Sequence, residues 1–535
     1  MGLWLLLGAV GAILLIVCLN LANLMLVRVH GRAHELAIRV ALGANRRRLA
    51  QEVVGEGVAL AAAGGVLGVL AAWWAVRALV ASAPAGIPRL DQVGIGPLVL
   101  LVACGTALAS GVLFSLGPAL RAGRTHPQAA LRAGGRGASD TAQRLRVRQI
   151  LVGAQAALSA LLLVVAGLLA ASYLHLMGVR AGFQPAHVLT ATTEWTGDPV
   201  PRRAFLQSAL EKLRALPGVE AAGLSSDLPL SGFGQTQTAS LVNDPRPEVQ
   251  RPLAERRDVS AGYFAALGIP LLEGRDLDAA DLAAAALPKH GAMAAVVSLA
   301  AANKLWPGRD PLGQQFVVGG SELHTVVGVV ADVHADGLAV APELTIYVPF
   351  TYQVPEAAGF VLRTRTDDPA RLAAAVRAAI WSAQPNANIP TIATMDEVVA
   401  SSAAPRRFQL TLVALFALCA LVLAALGIYG TVAYSVERRA AEIGIRMTLG
   451  ASAGNLVGMV VRQGLTPVFA GLALGLVAAL ACGRLLASLL FGVRASDPIV
   501  LAAVCVLLLA VAALACALPA RRAARISPLE TLRSQ

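Results

Sequence analysis

Lys212, Lys289 and Lys304 are the only lysines in the chain, and none follows a glycine run. A phosphate-cradling loop of the form G-x-x-x-x-G-K-[ST] needs its lysine on the phosphates. The sequence therefore predicts no ATP hydrolysis by this chain. His30 and His34 stand one helical turn apart, but zinc needs further ligands and no neighbour supplies a third. They read as surface histidines. His324 and His334 flank a strand-rich stretch and read as structural. Asp332 and Asp336, in ADVHAD, could share acid–base work only if a pocket held them. There is no H-E-x-x-H and no G-x-S-x-G elbow. No catalytic residue, no metal and no bound cofactor is expected.

The elements that would position any chemistry are apolar. Hydrophobic residues make up 56% of the chain and charged residues only 14%, against roughly 25% charge in an average soluble protein. Seven segments are long enough to cross a bilayer, 3–27, 53–81, 97–120, 150–176, 408–434, 457–490 and 499–519. The 457–490 run is long for one span and contains Pro467, which predicts tilt, a kink or an extension past the bilayer. Cys18, Cys104, Cys419, Cys482, Cys505 and Cys516 all fall in apolar runs, so no disulfide framework is implied outside them. Asn20 and Asn23 are polar groups within a span. They mark a pathway or hydrogen-bond a neighbouring helix.

The net charge of +12 could suit nucleic acid, but the arginines cluster at the ends of apolar runs. That is the positive-inside pattern of a membrane protein, and no nucleic-acid partner is expected. Arginine-rich loops alternate with nearly neutral ones. This places 28–52, 121–149, 435–456 and 520–535 in the cytoplasm and the N-terminus outside. The segment 177–407 then lies on the periplasmic side of a bacterial inner membrane, in a multi-pass protein. Its strand-like runs, such as 326–330 (VVGVV) and 345–348 (TIYV), alternate with helical spacing at 205–216 and 371–381. An α/β or α+β domain is expected, as one body or two lobes. The Ala-rich stretch 279–295 reads as an insertion or loose helix.

The chain also repeats itself. Residues 35–44 read ELAIRVALGA and residues 442–451 read EIGIRMTLGA, 407 residues apart. The same offset carries Gly64 and Gly68 onto Gly471 and Gly475, a matched small-xxx-small pair expected at a helix contact. PALRAGRTHPQAALR at 118–132 returns as PARRAARISPLETLR at 519–533, now 401 residues apart. An even number of spans separates the copies, so both run the same way through the membrane. In each copy Glu35 and Arg39, or Glu442 and Arg446, are four apart on a helix, and Gly43 or Gly450 fits its end. Two readings stay open. One is a solvated helix at the membrane surface. The other is a docking knob for a cytoplasmic partner.

With these motifs the chain resembles the FtsX-like permeases, specifically MacB-type ABC transporter permeases, closest to the duplicated permeases of Acidobacteria-like genomes. The resemblance rests on the doubled E-x-x-I-R-x-x-L-G-A motif, the Pro-Ala-x-Arg-Ala end of each unit, and YFAALGIPLLEGRD at 263–276. It rests also on LWPGRDPLG at 305–313 and HTVVGVVADV at 324–333. It implies a polytopic α-helical membrane protein of about seven spans, two parallel FtsX-like membrane units, and one inserted α/β periplasmic domain. The implied division is 1–132, first unit; 133–149, cytoplasmic linker; 150–176, first span of the second unit; 177–407, MacB-like periplasmic domain; and 408–535, second unit. The first unit lacks the family's first span and outer domain, so the resemblance implies a truncated or displaced start. It implies that Glu35, Arg39, Gly43, Glu442, Arg446 and Gly450 form coupling loops for a separate ABC ATPase subunit, which binds the ATP. The implied function is ABC-type export of an antibiotic, peptide or lipoprotein from the periplasmic side. The implied partners are the lipid bilayer and a periplasmic adaptor or outer-membrane channel. The alternative is a non-transporting mechanotransmitter of FtsX type acting on an extracytoplasmic partner.

Overall fold

The computed structural model describes residues 2–31, 46–81, 94–122, 138–195, 198–232, 234–287, 291–385, 387–438, 446 and 452–523. The chain divides into two compact units, Met1–His175 with Arg406–Gln535, and Leu176–Pro405.

Among the described residues four helices open the chain: α1 (Gly2–Gly31), α2 (Arg46–Ala81), α3 (Pro97–Ala122) and α4 (Ala138–Met177). With 40 residues, α4 is ~60 Å long at 1.5 Å per residue. That is about twice the ~30 Å hydrocarbon core of a bilayer, so its polar first turns lie outside the lipid or the helix is strongly tilted.

The second unit follows as β1 (Val188–Glu194), α5 (Pro199–Arg214), β2 (Val219–Ser225), β3 (Gln235–Leu241) and β4 (Leu253–Val259). Next come α6 (Tyr263–Leu267), β5 (Leu271–Gly274), α7 (Ala279–Ala285), β6 (Met293–Ser298) and α8 (Leu299–Leu305). It ends with β7 (Gln315–Val318), β8 (Glu322–Val330), β9 (Thr345–Pro349), β10 (Ala357–Thr364), α9 (Ala373–Ala383), β11 (Ile392–Thr394) and α10 (Met395–Ser402). All strands join one mixed sheet in the order β11-β1-β10-β2-β4-β3-β7-β8-β6-β9, with β5 added on β8. A parallel pairing of β9 with β4 closes six of these strands into a ring. Two apolar cores result. Val297, Trp306, Phe316 and Ile346 belong to the closed part. Phe205, Leu206, Phe360, Val376 and Ile380 lie where α5 and α9 cover the open part. The Ala-rich stretch 279–295 resolves into two elements. Asp278 and Asp281 form a reciprocal capping box that starts α7, and β6 begins at Met293.

The chain then completes the first unit with α11 (Ala404–Arg438), α12 (Ala453–Leu486) and α13 (Pro498–Ala523). Among the described residues six helices are long and apolar enough to cross a membrane, against the seven expected. The difference is the 97–120 segment. It forms α3, but its described apolar stretch, Pro97–Leu113, falls short of a full span. The hydroxyls of Thr106 and Ser110 within it turn back onto the carbonyls of Val102 and Thr106. The helix α12 runs unbroken through Pro467.

One core joins both repeats. Ala9, Ala12 and Ile16 of α1 are buried with Val152, Ala156 and Ala160 of α4, Val413 and Ala420 of α11, Val468 of α12 and Leu508 of α13. Corresponding helices also pack alike. A Cβ on Gly57 of α2 would meet Ser115 of α3, and a Cβ on Gly464 of α12 would meet Cys516 of α13. Those positions are related by the offsets of 407 and 401 read from the sequence. The repeat is therefore a repeat of packing as well as of motif.

Candidate functional site

Of the six motif residues, Glu35, Arg39, Gly43, Glu442 and Gly450 lie outside the described residues. Arg446 is described. It is exposed, between the end of α11 and Ser452, whose hydroxyl caps α12 by accepting from the Asn455 amide. Its guanidinium Nη1 lies 3.1 Å from Sδ of Met459. Met459 belongs to the wall of an open cavity of ≈ 320 Å³ lined by α4, α11 and α12. Its wall is largely apolar, with Arg148, Gln149, Thr431, Ser435, Gln463 and Thr466 as its polar members. Arg148 is buried and stacks over the Tyr434 ring at 4.1 Å. One motif arginine thus touches the wall of a largely apolar space where three helices meet.

Deeper in the core, the two asparagines act between helices. Asn20 Nδ2 donates to the Leu423 carbonyl at 3.0 Å, and Asn23 Nδ2 donates to Thr431 Oγ1 at 3.1 Å. Gln155 Nε2 donates to Asn20 Oδ1 at 3.0 Å, and Ser159 Oγ to the Ala420 carbonyl at 3.1 Å. This polar belt ties α1, α4 and α11 together. Asn20 and Gly427 occupy corresponding positions of the two copies, and a Cβ on Gly427 would collide with Gln155 Oε1. Helix bonding, one of the two readings of Asn20 and Asn23, is what their contacts describe.

The four expected packing glycines separate into two pairs. A Cβ on Gly471 would strike the Gly153 carbonyl of α4, and one on Gly475 would lie 2.8 Å from Cβ of Ala160. At Gly64 and Gly68, by contrast, nothing described lies within 4 Å. Among the described residues no helix meets this pair. The residues of α2 that approach α3 are Gly57, Ala61 and Gly65.

In the second unit the other candidates have structural partners. Asp332 Oδ1 accepts the Ala300 amide at 2.8 Å, at the start of α8, and Asp336 is exposed. His334 Nδ1 bonds the Val340 carbonyl at 2.7 Å. His324 is fully buried, 3.7 Å from Glu322. Of the other pair, His34 lies outside the described residues. Among the described residues no three His, Cys, Asp or Glu side chains group to hold a metal ion.

Sequence reasoning passed over a buried ionic cluster on β4. Glu255, Arg256, Arg257 and Asp258 are each about 2% exposed or less. Arg257 bonds Glu255 at 2.7 Å, and Arg256 bonds Asp258 at 2.8 Å and Glu322 at 2.9 Å. Residues i and i+2 of a strand share a face, so the pairing was readable from E-R-R-D once a strand was assumed. Burial raises the Asp258 carboxyl to about 6 despite Arg256. Burial also opposes ionisation of Glu322, but His324 and Arg256 outweigh it and hold that carboxyl below its ordinary value.

A family model described as FtsX-like permease C-terminal matches residues 7–127 and again 414–528. The model of the MacB-like periplasmic core domain matches residues 150–380. The two permease matches start 407 residues apart and end 401 apart, which reproduces both offsets of the internal repeat. The chain is 27% identical over 346 residues to the macrolide export ATP-binding/permease protein MacB 1/2 of Paracoccus denitrificans, covering 62% of this chain and 49% of that one. It is 39% identical over 128 residues to the pyoverdine export ATP-binding/permease protein PvdT of Pseudomonas syringae pv. tomato, covering 24% and 18%. The chain thus spans at most about half the length of these curated relatives. The periplasmic region of MacB from Actinobacillus actinomycetemcomitans matches at 14% identity and a TM-score of 0.29, covering 41% of this chain and 94% of that one.

Proposed function

This chain belongs with the FtsX-like, MacB-type permeases, and from that premise we propose that it is the permease part of an ABC-type exporter in a bacterial inner membrane. In this reading ATP is hydrolysed by a separate subunit docked on the cytoplasmic loops that carry Glu35, Arg39 and Gly43 and Glu442, Arg446 and Gly450. The observation that carries it is the contact of Arg446 with Met459. A loop pushed from the cytoplasm would press on a helix wall that also includes α4. The helix α4 leads directly into the inserted domain along the chain, so displacement at the loop has a covalent route to the periplasmic side.

The cargo proposed is an antibiotic, peptide or lipoprotein met on the periplasmic side. The relatives' own names speak of macrolide and pyoverdine export. A periplasmic adaptor or outer-membrane channel would carry such cargo onward.

Purification of the detergent-solubilised chain after crosslinking, with mass spectrometry, tests the proposal. Recovery of an ABC ATPase subunit is the expected result. Glu35→Arg with Glu442→Arg should abolish that recovery and leave the unfolding temperature unchanged, because both residues sit in short basic loops. Undiminished recovery with the double variant would remove the docking role from these loops.

A further inference from the structure

The open cavity between α4, α11 and α12 changes character along its length. Its walls are 148–152 of α4, 428–436 of α11 and 459–467 of α12. Each wall lies at one end of an apolar stretch. Arg146–Met177 begins there, Ala404–Glu437 ends there, and Gly454–Gly483 begins there. The three ends adjoin the arginine-rich segments 121–149 and 435–456, where a positive-inside protein meets lipid headgroups. From 428 to 436 the wall follows α11, which is ~12 Å at 1.5 Å per residue. That is most of one leaflet's half of a ~30 Å hydrocarbon core.

Polar groups stand at the loop end, with Arg148, Gln149 and Ser435. Deeper in, the hydroxyls of Thr431 and Thr466 donate to carbonyls of their own helices, those of Gly427 at 2.8 Å and Arg462 at 3.0 Å. Val152, Ile428, Val432 and Pro467 supply the apolar wall at that depth. There α4 and α12 close on each other, since a Cβ on Gly153 would lie 3.2 Å from the Pro467 carbonyl. A volume of ≈ 320 Å³ is within the range of ligand pockets, roughly 300–1,000 Å³.

Arg148 is 7% exposed and stands 4.1 Å over the Tyr434 ring. A ring face holds a cation without occupying its N–H edge. Arg148 has further contacts within the chain, but a guanidinium carries five N–H donors and can take phosphate oxygens two at a time. A small soluble anion at this mouth would leave the apolar wall unfilled. A neutral hydrocarbon chain would make no use of the guanidinium. A phosphate with an acyl chain attached uses both.

We propose that this cavity binds an anionic phospholipid of the adjoining leaflet, with the phosphate on Arg148 and the upper part of one acyl chain against Val152, Ile428, Val432 and Val460. Basic recesses between spans on the positive side of a membrane suit such headgroups. The site is a property of the membrane helices and does not depend on the export reading.

The test uses the full chain in nanodiscs that hold, at equal mole fraction, phosphatidylglycerol or phosphatidylcholine with the same photoactivatable diazirine in the acyl chain. Mass spectrometry maps the labelled peptides. Label on 428–436 and 459–467 should be about five-fold higher with phosphatidylglycerol. Equal labelling of these segments by the two lipids overturns the proposal, and this comparison needs no variant to fold. Arg148→Gln should bring the ratio to about one. A ratio that survives in this variant, at an unchanged unfolding temperature, overturns the placement of the phosphate. Excess soluble glycerol phosphate should leave the labelling as it is. Displacement by it would make the cavity a site for a soluble phosphate and overturn the lipid assignment.

Discussion

Arg256 and Arg257 are neighbours on β4, so they point to opposite faces, and each meets a carboxylate two residues away. Removing one partner of such a pair strands the other charge in the interior, which costs roughly 3–5 kcal/mol. Arg256→Ala is therefore expected to destabilise the second unit by about that much, because it leaves the buried Asp258 without its cation and takes one partner from Glu322. Denaturant unfolding of the full chain, followed by tryptophan fluorescence, measures it. Asp258 adds a pH dependence of definite sign. Its folded carboxyl titrates near 6 against an ordinary 3.8. Between those values the folded chain holds a proton that the unfolded chain has lost. Stability from this group is thus highest in acid and falls as pH rises through that window. Glu322, held low, acts the other way and loses its stabilising effect below about its ordinary value. Asp258→Asn should remove the fall between about pH 4 and 6 in unfolding-temperature curves. An unchanged curve would mean another group sets it.

Between helices, the sizes of residues decide which faces meet. Gly471→Leu places a side chain where the Gly153 carbonyl already sits, and overpacking of this kind costs typically about 1–3 kcal/mol. The same change at Gly64 meets open space among the described residues. The unfolding temperature in detergent should fall for the first variant and hold for the second. The polar belt makes a smaller contribution, since interhelical hydrogen bonds in membranes average about 0.6 kcal/mol. Asn20→Ala removes two such bonds, one from Asn20 and one from Gln155. Its effect should be near 1 kcal/mol, roughly the sum of two average bonds, read from the same unfolding curves.

Across the membrane unit, α1 of the first repeat shares one buried core with α4 and the helices of the second repeat, although an inserted domain stands between the copies in sequence. Contacts of α1 with α4 and α11 hold the first copy to the second. Residues 1–132 and 133–535 expressed as two chains should therefore co-purify through the α1 contacts. Asn20→Ala with Asn23→Ala should weaken that recovery. Separate elution of the two pieces would show that the covalent link, rather than the shared core, keeps the copies together.

Much of this protein was determined by the order of residue types. Runs of some 20 apolar residues with arginines at their ends can be satisfied only as helices in lipid, because backbone groups there must bond within their own segment. The spans and the inserted domain follow from that requirement. The repeat was equally legible, because Glu, Arg, Gly and Pro recur at fixed offsets that composition alone cannot produce. Residue types do not specify which face of a helix is covered. Gly64 and Gly471 occupy the same place in the same motif, and only the position of α4 makes one a contact and leaves the other bare. Nor could E-R-R-D at 255–258 announce its own burial, since a charged run reads as solvated until a closing strand covers it. Local pattern fixes elements because backbone hydrogen bonding is local. Burial and helix contacts depend on which distant segment arrives, and that is settled only by tertiary packing.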